Sequence, residues 1–567
     1  FAEVGGLGSG KLRADIQFLA KRGDGFRENN TFEQINNTLK LNYQRSATKN
    51  LYLKTNYNYE NSQATYTGLT QLSFDENPKF NPKEDDNFKV VRAALDLIQS
   101  EKLSANISKS TTAFLSFFDR RWWRENDVFI KVGDLDQANP TPQPYYGSNL
   151  VRVGNGVDNF GILRTFYVAG LKESYNVDHT FLGNPSTMET GWRVYWERFI
   201  DDRKTGFTSD SVFATDAREG VYFRGSGDSL IIYPGSNSHH YETAAFSAYI
   251  SESIDFGTFT LRPGLRLEMF EQERVDRLAG SLYQDKTLVV PLPGIAFSSN
   301  ILGTMLFGGV HRGFTPPSSG ALKILNFGEG LEDSDLDLEA EKSWNKEVGI
   351  RGSLALLDYE IAGFHIGIEN LVAAGRGTAF KNLGKVNSQG VEVRTDFLLS
   401  KTSKLMPNIG IAYTYLLTEV VDGTIRSNIQ PVGQEVSING KKLPYSPDHT
   451  LNVGLELNPI SSFFFRLDYK YVSKVYTDFQ NLEDEDDRVG YNLGISGPIP
   501  SYNLINLSTS YQLSQKMKLL LTGKNITDEI YIGSRLHSNP GQKDANISSG
   551  ILPGARRQIN LGIEYTF

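Results

Sequence analysis

Hydrophobic and polar residues alternate along the C-terminal segment of the chain. Ile559, Leu561, Ile563, Tyr565 and Phe567 occupy every second position, and polar residues or glycine fill the positions between them. Because successive side chains of a β-strand point to opposite faces, one face should contact an apolar medium and the other water or polar groups. The pattern predicts an amphipathic strand that ends on an aromatic residue.

The same alternation recurs in predicted hairpins near both ends of the chain. Strands are predicted at 39–44 and 51–60 around a polar turn at 47–50, and at 451–457 and 463–471 around a turn at 458–461. Each strand again places apolar residues on one face and polar residues on the other. The recurrence predicts a single architecture over the whole length, with roughly twenty strands of about ten residues each.

Short and long connections alternate between the predicted strands. Short turns lie near 100–103, 175–178, 253–256, 299–302, 401–404 and 513–516, whereas long connections lie at 64–88, 123–160, 204–240, 313–343, 420–446, 476–501 and 527–555. This asymmetry is typical of outer-membrane barrels, which have tight periplasmic turns and long extracellular loops. The predicted fold class is therefore all-β, a transmembrane antiparallel β-barrel. The strand count is odd unless a strand near residues 1–10 is missing or misread.

Soluble β-sandwiches and propellers also contain many short alternating strands, and they are the main alternative. Aromatic residues favour the barrel: they make up 12% of the chain, with 27 Tyr and 34 Phe, and many lie on the apolar face near strand ends, as in membrane girdles. A mean hydropathy of −0.35 does not decide the matter, because only every second residue of such a strand faces lipid. No apolar run is long enough to predict a membrane-spanning helix.

Composition narrows the function classes. The net charge of −8 argues against nucleic-acid binding, and the absence of cysteine excludes disulfides and thiolate sites. The segment from Gly5 to Lys11 nearly forms a phosphate-binding loop, but Leu12 stands where that motif requires Ser or Thr. His239 and His240 are adjacent, so in a strand they point to opposite faces and would chelate a metal poorly together. No catalytic triad motif is present, and we predict neither an enzyme nor a cofactor or metal site.

Several short segments together resemble one protein family. In order they are His311–Pro317, Leu338–Arg351, Asn382–Lys385, Gly390–Glu392, Lys524–Asp528, Tyr531, Pro553–Arg557 and the aromatic terminus. Within them, Gly384 and Gly390 suit sharp bends or close backbone approach. Their order and spacing resemble the barrel of TonB-dependent outer-membrane receptors over nearly the whole chain. The resemblance implies about 22 strands, and residues 1–567 are taken as one barrel domain.

Receptors of that family carry an N-terminal plug that fills the barrel and bears the TonB box. No segment before the first predicted strand is long enough to be a plug, so it is not evident in this sequence. The plug is expected to be cleaved, disordered, supplied separately or encoded before the numbered residues.

The segment from Thr67 to Gln71 and the run Arg120–Arg124 resemble the ferric citrate (iron dicitrate) branch of the family. That branch implies a compact, polyanionic ferric chelate bound by external arginines, whose planar guanidinium groups grip carboxylates in a bidentate way. The candidate ligand-binding residues, chosen by location, are Arg121, Arg124, Arg152, Arg164, Arg218, Arg224 and Asn546. The alternative for each arginine is an ion pair with a nearby loop carboxylate.

The resemblance implies an importer that binds a small anionic ferric chelate, citrate or a siderophore, as transported ligand. Its expected partners are outer-membrane lipid and lipopolysaccharide, and TonB with its inner-membrane energising complex. A surface lipoprotein that caps the barrel is left open. Two alternatives remain: a receptor for haem or cobalamin on the same barrel, and a passive porin-like channel without a plug.

Overall fold

The structure is a computed structural model of the 567-residue chain. It describes all residues except 66–67, 70–73, 76, 82–85, 132–142, 145–149, 207–236, 278–280, 317–339, 376–377, 383, 427–433, 484–496 and 536–549. Only the backbone is described at 125–131, 143–144, 150–160, 203–206, 237, 276, 281–287, 372–375, 378–382 and 426.

The described residues form 28 β-strands. The first fourteen are β1 (Ala2–Leu7), β2 (Leu12–Gly23), β3 (Phe32–Gln44), β4 (Lys49–Ser62), β5 (Asn87–Lys102), β6 (Ile107–Lys131), β7 (Gln143–Pro144), β8 (Leu150–Phe181), β9 (Asn184–Gly206), β10 (Asn237–Asp255), β11 (Phe259–Asp276), β12 (Ser281–Ile301), β13 (Thr304–Thr315) and β14 (Glu341–Ser353). The others are β15 (Leu357–Glu369), β16 (Val372–Gly375), β17 (Thr378–Asn382), β18 (Lys385–Phe397), β19 (Asn408–Asp422), β20 (Thr424–Arg426), β21 (Glu435–Ser437), β22 (His449–Ile460), β23 (Phe463–Val472), β24 (Tyr502–Ser514), β25 (Met517–Lys524), β26 (Ile532–Arg535), β27 (Ile551–Pro553) and β28 (Gln558–Tyr565).

One antiparallel sheet contains 22 of these strands, so the predicted all-β class and strand number are confirmed in the described part of the chain. That number includes the two-residue β7, so the sheet has 21 longer strands, and these include β1 near residues 1–10, where the sequence left a strand uncertain. Three small hairpins, β16–β17, β20–β21 and β26–β27, stand apart in the longer connections. No helix in the described residues is long and apolar enough to cross a membrane.

The connections alternate between short and long, as predicted, but β6 and β8 are longer than expected. The predicted connection 123–160 is wrong, because β6 continues to Lys131 and β8 begins at Leu150. The two strands remain paired there, with a register shift between Glu125 and Asp127. The polar sequence of this stretch suggested a loop, yet a paired strand beyond the membrane can carry polar residues on both faces.

The two faces of the sheet differ in character over β6–β12. On one face, here called the apolar face, Val194, Phe246, Met269 and Val289 lie opposite one another on four consecutive strands and are 41–59% exposed. The polar face carries the alternating positions, for example Ser247, Glu268 and Arg266. A continuous exposed apolar row on a sheet of this size indicates contact with lipid.

Aromatic residues border the apolar face at both ends of the strands. At the long-connection end the Phe117 and Tyr167 rings lie 5.4 Å apart, next to Trp196, and at the short-turn end the Phe256 and Phe259 rings lie 6.1 Å apart. On β10, the segment from Ala244, which lies opposite Trp196, to Ile254 near the short turn contains eleven residues. A tilted strand needs about 9–11 residues to cross the hydrocarbon core, so the distance between the girdles fits one bilayer.

The sheet order begins at β1 and ends at β28. In the described pairings β1 contacts β2 alone and β28 contacts β25 alone. Ile559, Leu561 and Ile563 on β28 are 65–84% exposed, which makes this the most open apolar surface of the sheet.

External connections far apart in sequence pack together at the long-connection end. Leu69 and Ile551 exchange backbone hydrogen bonds at 2.6 and 2.9 Å and belong to one buried apolar cluster with Val475 and Ile499. In the last connection, Asp528 accepts hydrogen bonds from the Arg556 guanidinium at 2.9 and 2.7 Å. This pairing holds the pKa of the Asp528 carboxyl well below its usual range, so the ion pair of Asp528 and Arg556 persists in mild acid.

Gly384 confirms the prediction of a close backbone approach. Its φ of +108° is one that other residues rarely adopt, and a Cβ there would lie 2.1 Å from the carbonyl oxygen of Asp422. Gly384→Ala should therefore destabilise the pairing of β18 with β19 and lower the temperature at which the folded form is lost on a heat-modifiability gel. Gly363→Ala is the matched control, because its nearest neighbour is 4.0 Å away. Equal behaviour of the two variants would contradict this explanation.

Candidate functional site

Rings and guanidinium groups alternate on the polar face of β6. Phe118, Arg120, Trp122 and Arg124 occupy successive same-face positions, about 6.6 Å apart along a strand, and we call them the ring–cation column. The guanidinium carbons of Arg120 and Arg124 lie 5.8 and 5.6 Å from the centre of the Trp122 ring. All four side chains are half-buried, so the column is both held in place and accessible.

A row of charged residues crosses the sheet at the level of Arg120. Arg120 lies opposite Arg164 on β8, which lies opposite Asp201 on β9. Arg164 Nε donates to Asp201 Oδ1 at 2.9 Å, and the Asp201 side chain is only 1% exposed. Within the described residues, Arg120 Nε is buried without a hydrogen-bond partner. Arg120 and Arg164 thus face each other with Asp201 bonded to Arg164, which leaves excess positive charge that suits an anion.

An aromatic ladder lies directly below this row. Phe118, Phe166, Phe199 and Tyr241 occupy one row across β6, β8, β9 and β10, with neighbouring ring centres 5.7, 4.3 and 5.2 Å apart. The Arg164 guanidinium lies 5.6 Å from the Phe199 ring centre. Phe199 and Tyr241 are almost fully buried. The ladder therefore stabilises the long strands β6, β8, β9 and β10 against one another. It also fixes the positions of Arg120 and Arg164, which lie next to it on β6 and β8.

The upper end of the column is tied to neighbouring elements. The Trp122 indole N–H donates to the carbonyl oxygen of Ala64 at 2.9 Å, in the connection after β4. The Phe88 ring on β5 meets Trp122 edge to face, with centres 5.7 Å apart. These contacts fix the orientation of the indole, and with it the two guanidinium groups beside it.

The predicted ligand residues do not all lie on one face of the sheet. Arg124 and Arg164 lie on the polar face with the column and the charged row. Arg121 lies on the opposite, apolar face, where its Nε donates to Asp119 Oδ2 at 3.0 Å. Arg152 is opposite Phe129 on the backbone-only part of β8. Arg218, Arg224 and Asn546 lie outside the described residues.

Arg120 lies on the same face as Arg124 and Arg164 but was not among the predicted ligand residues. The signal was present in the sequence, because strict alternation puts residues 120, 122 and 124 on one face and residue 121 on the other. Nearness to a strand end does not distinguish Arg121 from Arg124, although the two residues lie on opposite faces of β6.

The remaining sequence candidates lie on β1, β2 and β10. The near phosphate-binding loop forms the hairpin of β1 and β2. His239 and His240 pair with Asp201 and Ile200, and therefore lie on opposite faces. In the described part of the chain no three His, Asp or Glu side chains are arranged to hold a metal ion.

Comparison with known proteins adds a family and a set of similar folds. The sequence model of the family described as TonB dependent receptor-like, beta-barrel matches residues 4–526. The ferric citrate transporter FecA, in its unliganded form, is similar with a TM-score of 0.77 and 18% identity, over 99% of this chain and 74% of FecA. The closed form of the ferric-catecholate import receptor Fiu of E. coli K12 has a TM-score of 0.74 and 14% identity, over 100% and 79%. The siderophore receptor PiuA of Acinetobacter baumannii has a TM-score of 0.69 and 13% identity, over 98% and 77%.

Proposed function

Since this chain belongs to the family of TonB-dependent receptor β-barrels, we propose that it binds a ferric chelate at the ring–cation column and passes it inward with energy supplied through TonB. The family consists of outer-membrane transporters and not enzymes, so the predicted location and the predicted absence of catalysis are confirmed. The apolar face is then the lipid face, and the polar face lines the barrel lumen.

The observation that carries the proposal is the placement of three arginines on the lumenal face. Arg120, Arg124 and Arg164 lie on the parts of β6 and β8 beyond the Phe117–Tyr167 girdle, on the side of the long connections. An anion that enters from outside meets these side chains first. Because the Nε atom of Arg120 has no hydrogen-bond partner among the described residues, an incoming ligand can supply an acceptor.

Ferric citrate or a siderophore fits this site as transported ligand. Ferric citrate and the ferric complexes of catecholate siderophores are small anionic chelates, and FecA and Fiu, which share the fold, are named for a citrate and a catecholate chelate. Haem and cobalamin remain the alternative ligands on the same barrel. The proposal requires no resident cofactor, since the iron arrives and leaves within the ligand.

The proposed partners follow from location and mechanism. Outer-membrane lipid and lipopolysaccharide would surround the apolar face, and TonB with its inner-membrane complex would supply energy through a plug. A lipoprotein that caps the external connections is an additional candidate. No feature of the described surface favours nucleic acid.

Uptake of labelled iron in a host that lacks its own ferric receptors tests the proposal. Cells that express the protein should accumulate ⁵⁵Fe from one member of a panel of ferric citrate, ferric siderophores and haem. The same cells without tonB should accumulate none above background. Uptake that is equal with and without tonB would contradict energy coupling.

The passive-channel alternative makes an opposite electrical prediction. A plug-less barrel of this size would leave a wide lumen and conduct strongly in a planar bilayer. The full protein should instead be almost non-conducting. A large, constantly open conductance would favour the porin-like channel.

A further inference from the structure

Resting on the proposed function, we infer that the chelate bound by this barrel carries aromatic rings as well as anionic oxygens, as ferric complexes of catechols do, and that Trp122 is a specificity-determining residue. The arrangement of side chains on the lumenal face of β6 carries this inference.

Every cation of the site lies next to a ring. Arg120 and Arg124 flank Trp122, and Arg164 lies over Phe199, all at 5.6–5.8 Å. A guanidinium group offers a flat face for stacking and an edge of N–H donors for anionic oxygens. Rings and cations in alternation therefore present stacking surfaces and hydrogen-bond donors at a regular spacing of about 6.6 Å.

An aliphatic hydroxycarboxylate chelate would use only half of this chemistry. Its surface consists of carboxylate and hydroxyl oxygens, which guanidinium and amide groups recognise, and it gains little from an indole or phenyl face. A catecholate chelate presents aromatic rings whose oxygens are bound to iron and carry negative charge. The rings of such a ligand can stack on the column, and its anionic oxygens can accept hydrogen bonds from the arginines. Phe118 extends the apolar surface toward the membrane.

The rings also have a purely structural explanation, in which they only support the arginine stems. The two explanations differ in what Trp122 does for different ligands. If the indole merely positions Arg120 and Arg124, its loss should weaken the binding of every anionic chelate equally. If it contacts the ligand rings, its loss should weaken only aromatic chelates.

The test compares two ferric chelates by equilibrium dialysis with ⁵⁵Fe on the purified full protein. The probes are the ferric complex of 2,3-dihydroxybenzoate and ferric citrate. The aromatic chelate should bind at least tenfold more tightly. Trp122→Leu, which keeps an apolar side chain, should weaken the aromatic chelate about tenfold and ferric citrate less than twofold. Trp196→Leu, on the lipid face, is the matched control and should change neither.

The outcomes separate this inference from the proposed function. Tighter binding of ferric citrate, or an equal loss of both chelates in Trp122→Leu, would overturn the inference and leave a ferric-chelate receptor standing. Failure of the unaltered protein to bind either chelate, with normal folding on a heat-modifiability gel, would overturn the inference, and the absence of tonB-dependent ⁵⁵Fe uptake from every chelate of the panel would overturn the proposed function. Loss of folding in Trp122→Leu would move the comparison to Trp122→Phe, which should retain the preference for the aromatic chelate.

Discussion

Replacing Arg120 and Arg164 together with glutamine should weaken binding of the ferric chelate by about 100-fold or more. Hydrogen bonds to charged groups contribute about 1.5–3 kcal/mol each, and each 1.4 kcal/mol is a factor of ten in affinity. The two arginines face each other on β6 and β8, so one compact anion can contact both. Glutamine is chosen because its amide can still donate to the nearly buried Asp201 carboxylate, which limits the damage to folding.

Titration of the purified variant with the chelate that the unaltered protein transports measures the effect. Arg121→Gln is the matched control, since it removes the same type of side chain one position away on the lipid face, where Arg121 bonds Asp119. The control should retain affinity within about twofold. A loss in Arg121→Gln, with binding intact in the double variant, would contradict the assignment of the lumenal face.

Arginine in place of Ile250 should strongly destabilise the folded protein in a bilayer. Ile250 lies on the lipid face of β10, between the two aromatic girdles, and is 50% exposed. Arginine near the bilayer midplane of a transmembrane barrel costs about 2–4 kcal/mol. The neighbouring Ser251 points to the lumen, so Ser251→Arg should be tolerated.

The two variants can be compared by unfolding from lipid vesicles in urea. The midpoint for Ile250→Arg should lie well below that of the unaltered protein, whereas the midpoint for Ser251→Arg should stay close to it. The reverse order would mean that β10 presents its other face to lipid. Similar losses in both variants would indicate that position 250 is packed within protein.

The fold was largely predictable because alternation is a local signal. The strand after the predicted turn at 47–50, the hairpin of β22 and β23 and the last strand β28 all have the predicted facing, since one side of each must contact lipid. The ends of β6 and β8 were not predictable in this way. Beyond the membrane both faces meet water, so the alternation weakens, and residues such as Glu125 and Asn159 read as loop although they are paired.

The sequence indicates arginines near the external ends of strands but not which of them share a face, and their role in ligand binding stays a prediction. Arginines near the external ends of strands were expected, and Arg124 and Arg164 do lie on the lumenal face. Which arginines lie opposite one another depends on the register between β6, β8 and β9. Register is set by pairing between distant segments, so a short stretch of sequence does not determine it. The opposition of Arg120 and Arg164, and the capture of Arg164 by Asp201, appear only when the strands are placed side by side.

A cysteine scan along β6 tests the central claim most directly, because the chain has no cysteine of its own. Single cysteines at positions 113–118 and 120–121, in the protein reconstituted in lipid vesicles, would carry an environment-sensitive fluorophore. Labels at even positions should report water, and labels at odd positions up to 117 should report hydrocarbon and be quenched by brominated lipid. Quenching at the even positions, or no alternation at all, would contradict a barrel whose ring–cation column faces the lumen.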